Sequence, residues 1–143
     1  MILAGIAVVV IVVLLITGFV LYRKQAKKPL KTDFYQNKWK TLQGLLRDKT
    51  MWSQAILDAD KLLETALKKR HIRGRTMGER LVRAQRLFTD NDSVWFSHKL
   101  RNKLDSEPQT KLKESEVKQA LLGFRQALKD VGALPNGQPT SSK

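Results

Sequence analysis

The sequence predicts an all-α protein in which one apolar helix precedes a bundle of about five helices. Three observations support this fold class. Residues 2–22 form a long apolar run without a charged residue. Across residues 33–134, hydrophobic residues recur at intervals of three and four, which is the helical period. In addition, no segment shows the sustained alternation of apolar and polar residues that is typical of a strand.

The apolar run, ILAGIAVVVIVVLLITGFVLY, contains no charged residue and only Thr17 interrupts it with a polar group. At ~1.5 Å per residue, a helix of this length matches a hydrocarbon core of ~30 Å. The run lacks the charged leading region and the small-residue cleavage site that are typical of a secretory signal peptide. We therefore expect residues 2–22 to form an uncleaved transmembrane anchor.

A basic linker, residues 23–32, follows the anchor and contains Pro29. Because cytoplasmic flanks are enriched in Lys and Arg, this charge predicts a single-pass protein with its N-terminus outside and its domain in the cytoplasm. The simplest partner for the linker is the anionic lipid headgroup. The residues that we expect to make this contact are Arg23, Lys24, Lys27 and Lys28.

The five helices of the bundle are each bounded by local signals. Gly74 breaks the pattern after the second helix, and Thr76 with Glu79 forms a capping box that opens the third. Pro108 ends the fourth helix, and Gly132 is the expected residue after the fifth. The turn-rich residues 135–143 are predicted to be disordered. The predicted helices cover about 33–47, 51–69, 76–88, 93–105 and 112–131 of a soluble domain at 33–134.

Three polar residues of the fourth helix, His98, Arg101 and Asn102, fall between apolar neighbours on the helical wheel. We therefore expect them to point inward or into a cleft. An unpaired buried charge is expensive, so Arg101 should have a carboxylate partner. Asp60 is the preferred candidate because it lies at the edge of the apolar stripe of the second helix. The alternatives are Glu64 and Asp105.

An Arg-Asn pair at 101–102, before the last helix of an all-α bundle, resembles the R-N-x-x-x-H signature of the HEPN superfamily of nucleic-acid-associated domains. The segments WSQAILDADKLLETAL, TMGERL and VWFSHKLRNKL are also similar to a group of small bacterial proteins. That likeness implies a bacterial inner membrane as the location. In HEPN ribonucleases the arginine and histidine act on the RNA phosphate and 2′-hydroxyl, usually at a dimer interface. The resemblance therefore implies RNA as a partner and leaves a homodimer open.

The sixth position of the signature is Ser106 in this chain, so the group that titrates near neutral pH is missing. An active ribonuclease would need His98, or a second chain, to supply it. We interpret the polar cluster of Asp60, His98, Arg101 and Asn102 as structural or vestigial, and we predict no catalytic residue and no cofactor. No metal site is expected either, because His71 has no second ligand nearby and the chain has no cysteine.

The net charge of +14 is concentrated in the linker and in residues 68–86. Arginine presents a planar fork that suits phosphate, so the second basic segment predicts a site for an anionic partner, either RNA or lipid headgroups. A solvated basic face is the alternative. The leading hypothesis for function is a membrane-tethered binding or adaptor module, and the alternative is a HEPN-like nucleic-acid-binding domain with residual or lost ribonuclease activity. The proposed anionic-partner patch consists of Arg70, Arg73, Arg75, Arg80, Arg83 and Arg86.

Overall fold

The computed structural model describes residues 1–26 and 29–137, with the backbone alone for residues 24–26. The described residues form helices and connecting turns without a strand, so the predicted fold class is confirmed. A short 3₁₀ turn, Lys49–Met51, leads into the third helix. The α-helices are α1 (Ile2–Ala26), α2 (Thr32–Leu45), α3 (Trp52–Lys69), α4 (Met77–Arg83), α5 (Asn91–Ser106) and α6 (Glu114–Asp130).

Helix α1 is long and apolar enough to cross a membrane. Its 22-residue stretch Ile2–Arg23 has a mean hydropathy of 3.1, and none of it is buried against the rest of the chain. The helix continues to Ala26. Arg23, which was predicted to begin the linker, therefore lies within α1. The linker is shorter than predicted at its other end too, because Thr32 already opens α2.

Helices α2, α3, α5 and α6 form the bundle, and those that follow one another in the chain run in opposite directions, whereas α3 and α6 run in the same direction. The indole N–H of Trp52 donates to the carbonyl of Leu46 at 3.1 Å and closes the short connection between α2 and α3. Helices α3 and α6 end side by side, since Arg70 Nε donates to the Val131 carbonyl at 2.8 Å. Helix α6 packs along both α5 and α3. The start of α2 and the ends of α3 and α6 therefore share one end of the bundle.

The core is formed by the apolar stripes that the helical period predicts. Removing these side chains from water is the main favourable contribution to folding. The other end of the bundle contains the 3₁₀ turn and the first residues of α3 and α6. The largest fully buried hydrophobic side chains are Ile56, Leu63, Leu67, Leu81, Val94, Phe124 and Leu128.

The third predicted helix is wrong in length, because α4 ends at Arg83 instead of near residue 88. After α4 the chain makes tighter turns, in which the amide of Leu87 donates to the carbonyl of Ala84 at 2.8 Å. These turns bring the amide of Thr89 to the carboxylate of Asp130 on α6, at 2.9 Å. Phe88 is buried as predicted, but from a turn and not from a helix.

Helix α3 ends at Lys69, as predicted, but the residue that turns the chain is His71 and not Gly74. His71 adopts a left-handed conformation, with φ of 60°, and the amide of Ile72 reaches back to the carbonyl of Leu67 at 3.0 Å. Gly132 ends α6 in the same way, with φ of 79°, which confirms its predicted position. Residues 135–137 have no regular secondary structure, and the remainder of the tail lies outside the described residues.

Candidate functional site

A buried hydrogen-bonded pair joins α3 to α5. Asp60 and His98 are 2% and 6% exposed, and Asp60 Oδ1 lies 2.8 Å from His98 Nδ1. Helix periodicity places both residues at the edge of an apolar stripe, and the packing of α3 on α5 brings them together. The carboxylate thus has a hydrogen-bond donor in a region that excludes water, which is what a buried charge requires.

Asn102 and Arg101 extend this pair to the surface. Asn102 Nδ2 lies 3.2 Å from His98 Nε2, and Arg101 Nη1 donates to Asn102 Oδ1 at 3.2 Å. Because Arg101 occupies the amide oxygen, the amide nitrogen faces the histidine. This pattern assigns the neutral histidine, with its proton on Nδ1 toward Asp60 and with Nε2 accepting from Asn102.

The predicted pairing of Arg101 with Asp60 is confirmed, since Arg101 Nε lies 3.5 Å from Asp60 Oδ2. Asp105, one of the two alternatives, is also near, at 3.7 Å from Arg101 Nη1. Glu64 pairs instead with Lys68 and Arg80. The inward direction predicted for the helix face is only partly right, because the Arg101 side chain is 33% exposed and Asn102 is exposed.

The cluster has the form of a structural network more than of a reaction centre. A general base needs a lone pair that a substrate proton can reach, and the Nε2 lone pair of His98 is bound by Asn102. Ser106, at the position of the signature histidine, donates to the carbonyls of Asn102 and Lys103 at 3.1 and 3.2 Å. No general base is hydrogen-bonded to the Ser106 hydroxyl among the described contacts, so Ser106 is not an activated nucleophile.

One buried polar residue, Ser97, was not predicted from the sequence. It is fully buried on α5, and its hydroxyl lies 2.7 Å from the Ala120 carbonyl of α6 and 2.8 Å from the Ser93 carbonyl. Opposite it, a Cβ on Gly123 would come within 2.5 Å of the Ser93 carbonyl oxygen. Small residues thus allow α5 and α6 to approach closely. The four-residue spacing of Ser93 and Ser97 was the available signal.

Two of the six arginines of the proposed anionic-partner patch make contacts within the domain. Arg70 is partly buried and donates to the carbonyl of Val131, so it stabilises the C-terminal end of α6. Arg80 has a side chain only 12% exposed, and its Nη1 lies 3.0 Å from Glu64 Oε1. Sequence periodicity placed Arg80 on an outer stripe, but α4 is short and turns this residue toward α3.

The other four arginines of the patch, Arg73, Arg75, Arg83 and Arg86, are exposed. Two aliphatic residues lie beside them in sequence and are also exposed, Val82 at 53% and Leu87 at 45%. Of the linker residues, Arg23 is exposed at the end of the apolar part of α1, with its guanidinium 5.2 Å from the Phe19 ring. The side chain of Lys24 is not described, and Lys27 and Lys28 lie outside the described residues.

An apolar groove lies at the end of the bundle where α3 and α6 begin. It has a volume of about 330 Å³ and lies between α2, α3 and α6. Leu122 stands at its edge with 63% of its surface exposed. Exposed apolar surface of this kind is typical of interaction sites. The apolar groove is lined by Trp39, Leu46, Trp52, Val117, Leu121 and Leu122, with polar residues at its margin.

Within residues 1–26 and 29–137, no three His, Cys, Asp or Glu side chains are placed to hold a metal ion. Comparisons with known protein families, curated proteins and solved structures find no match to this chain. The resemblance to HEPN domains therefore stays a prediction. The fold and the site define a class only at the level of a helical bundle that carries one candidate membrane helix.

Proposed function

We propose that this chain is a membrane-tethered adaptor, whose helical domain lies on the cytoplasmic face of a bacterial inner membrane and holds a protein partner. The apolar groove is the observation that carries this proposal. The half-buried Trp52 and the exposed Leu122 provide apolar contact area above the buried Trp39. Tryptophan is enriched at the centres of protein interfaces. Among the described residues, α1 is the only helix that is long and apolar enough to span a membrane.

The margin of the groove indicates what kind of partner fits. Lys49 Nζ lies 5.8 Å from the centre of the Trp52 ring, and Arg125 lines the groove with its side chain exposed. Lys118 also lines it but is paired with Glu114 at 2.9 Å. The margin therefore has an excess of positive charge. We expect the partner to insert the apolar face of an amphipathic helix that is flanked by acidic side chains.

The test begins with membrane topology, which the lack of native cysteine makes simple. Single cysteines are introduced at Ile2 and at Gly137, and intact cells are treated with a membrane-impermeant maleimide. We expect labelling at position 2 and protection at position 137 until the cells are lysed. Labelling at position 137 in intact cells would place the domain outside and contradict the proposed orientation.

The partner is then sought by photo-crosslinking from position 122 in cells, with position 111 as the control. We expect one discrete adduct from position 122. The partner identified from it is purified and titrated against the full chain in nanodiscs, where Leu122→Asp should weaken binding at least tenfold and Leu87→Asp should not. Equal binding by wild-type protein and Leu122→Asp would show that the groove does not carry the function.

The alternative, a HEPN-like nucleic-acid-binding domain, is favoured by the exposed arginines Arg73, Arg75, Arg83 and Arg86. Labelled structured RNA is titrated against the full chain in nanodiscs at low and at physiological salt. An adaptor should bind RNA weakly at physiological salt, because contacts with phosphate alone lose affinity steeply as salt rises. Tight binding at physiological salt would favour the alternative. Cleavage that His98→Ala abolishes while the variant remains folded by circular dichroism would favour a ribonuclease site.

A further inference from the structure

One end of the bundle, the tether end, carries the chain toward the membrane. It comprises the start of α2 with residues 30–35, the end of α3 with residues 68–73, the turn at 84–89, and the end of α6 with residues 129–132. These segments are in contact: Arg70 bonds to Val131 and Thr89 bonds to Asp130. Leu87 and Ile72 line a common hollow with them.

The connection between α1 and the tether end is short. Leu30 is partly buried against the core, so it already belongs to the domain. Only residues 27–29 lie between Ala26 at the end of α1 and Leu30. At ~3.5 Å per residue, this segment spans at most about 14 Å. If α1 crosses a membrane, the tether end must lie within that distance of the end of α1.

The tether end has an excess of positive charge. Its carboxylates are Asp33 and Asp130, and Asp130 is occupied by the amide and hydroxyl of Thr89. The adjoining start of α5 adds the exposed Asp90 and Asp92, which are fewer than the cations. The opposite end of the bundle, the distal end, mixes Arg47, Lys49 and Lys111 with Asp48, Glu114 and Glu116. The cations of the tether end are Lys31, Lys68, Lys69, Arg70, Arg73, Arg86 and Lys129.

The tether end also exposes large hydrophobic side chains. Phe34 in the first turn of α2 and Leu87 in the 84–89 turn are each 45% exposed. Lys38 Nζ lies 5.9 Å from the centre of the Phe34 ring. An aromatic ring and an aliphatic side chain among cations are the combination that enters the interfacial layer of an anionic bilayer.

We propose that the tether end rests on the anionic headgroups of the membrane that holds α1, with Phe34 and Leu87 in the interfacial layer and Lys69, Arg73 and Arg86 against lipid phosphates. Lipid is favoured over RNA because the short connection to α1 holds these cations close to the bilayer. In this orientation the apolar groove points away from the membrane, since α6 spans about 25 Å from one end of the bundle to the other.

The proposal rests on the membrane anchor proposed above, so its test uses the full chain in nanodiscs. Leu87→Cys is labelled with a polarity-sensitive fluorophore. The control is Leu122→Cys, midway along α6 beside the apolar groove, with the same label. The discs contain phosphatidylcholine with or without phosphatidylglycerol, and a trace of lipid with a spin label on its headgroup. Failure of the chain to elute with the discs would contradict the anchor, whereas headgroup contact is tested only in loaded discs.

We expect the emission of the fluorophore at position 87 to shift to shorter wavelength and to be quenched in anionic discs. Neither change should occur in discs of phosphatidylcholine alone or at high salt. The fluorophore at position 122 should remain unquenched in all discs. Replacing Lys69, Arg73 and Arg86 with Gln should weaken the contact roughly 100-fold, at about fivefold per cation, and abolish the quenching. The matched control replaces Arg47, Lys49 and Lys111 with Gln and should leave it unchanged.

Three results would overturn the proposal. The first is equal quenching at positions 87 and 122, which would show that the tether end has no preference for the bilayer. Quenching of equal size in discs with and without phosphatidylglycerol would likewise contradict contact with anionic headgroups. Structured RNA that releases the fluorophore at position 87 from anionic discs at physiological salt would show that RNA, and not lipid, is the partner of the tether end. Binding of the protein partner at Leu122 is measured separately, so failure here leaves the proposed adaptor function standing.

Discussion

Asp60 of α3 and His98 of α5 form a buried pair in which Oδ1 and Nδ1 are 2.8 Å apart. The pair connects two helices that are separated by 38 residues in sequence. It lies beneath the Arg101–Asn102 dipeptide that resembles the HEPN signature. Its position between two core helices makes its clearest consequence one for stability.

Loss of the histidine should therefore destabilise the domain strongly. In His98→Ala, the buried carboxylate of Asp60 loses its hydrogen-bond donor and keeps only the contact with Arg101. We expect the free energy of unfolding to fall by about 3 kcal/mol. Asn102→Ala, one turn later on the same helix and exposed, should cost about 0.5 kcal/mol. Urea unfolding in detergent micelles, followed by circular dichroism, measures both. Equal stability of His98→Ala and the wild type would mean that the pair is not structural.

Two Gly→Ala substitutions should have opposite effects, because Gly123 lies where α5 and α6 approach closely and Gly44 of α2 does not. At Gly123, a Cβ would lie 2.5 Å from the Ser93 carbonyl oxygen, so Gly123→Ala should destabilise by about 2 kcal/mol through overpacking. At Gly44, nothing lies within 4 Å of a Cβ, and the helical position should gain up to about 1 kcal/mol. Thermal unfolding of the two variants side by side decides the matter. A stabilised Gly123→Ala would contradict the described helix packing.

Two neighbouring arginines of α4 should respond differently to the same substitution. Arg80 is mostly buried and paired with Glu64, so Arg80→Gln should lower the free energy of unfolding by about 1–2 kcal/mol. Arg83 is exposed, and Arg83→Gln should leave it unchanged within about 0.5 kcal/mol. Urea denaturation compares the two. If both variants match the wild type, Arg80 belongs to the surface patch after all.

The N-terminus of α5 should give the domain an acid-sensitive contribution to stability. Asp90 caps this helix, and hydrogen bonds from the hydroxyl and amide of Ser93 hold the pKa of its carboxyl below the usual value. A lowered pKa in the folded state stabilises above the pKa of the unfolded chain, and this stabilisation disappears as the pH falls through the folded value. Asp90→Ala should therefore be less stable than the wild type at neutral pH, with a difference that vanishes in strong acid. Thermal melts across this pH range measure the difference, and one that persists unchanged into strong acid would contradict the assignment.

Much of the fold and part of the site could be predicted because those features depend on local sequence. The helical period placed the apolar stripes, and the cap at Thr76 is confirmed by its hydroxyl accepting the amide of Glu79 at 3.2 Å. The pairing of Arg101 with Asp60 was also accessible, because wheel positions alone put each residue at the edge of a stripe. The length of α4 could not be predicted from the sequence, because the contact between Thr89 and Asp130 of α6 competes with continuation of the helix.

By itself, the sequence determined the apolar helix, the helical class of the domain and the sites where several helices begin or end, because each depends on residues within a turn or two. Only the tertiary structure decided which charged groups are available for function. Arg70 is occupied by a carbonyl 61 residues away, and Arg80 is drawn to a carboxylate on another helix. The same packing places Arg73 and Arg86 at the tether end and forms the apolar groove elsewhere. Pairings of this range follow from how whole helices pack, which no local pattern encodes.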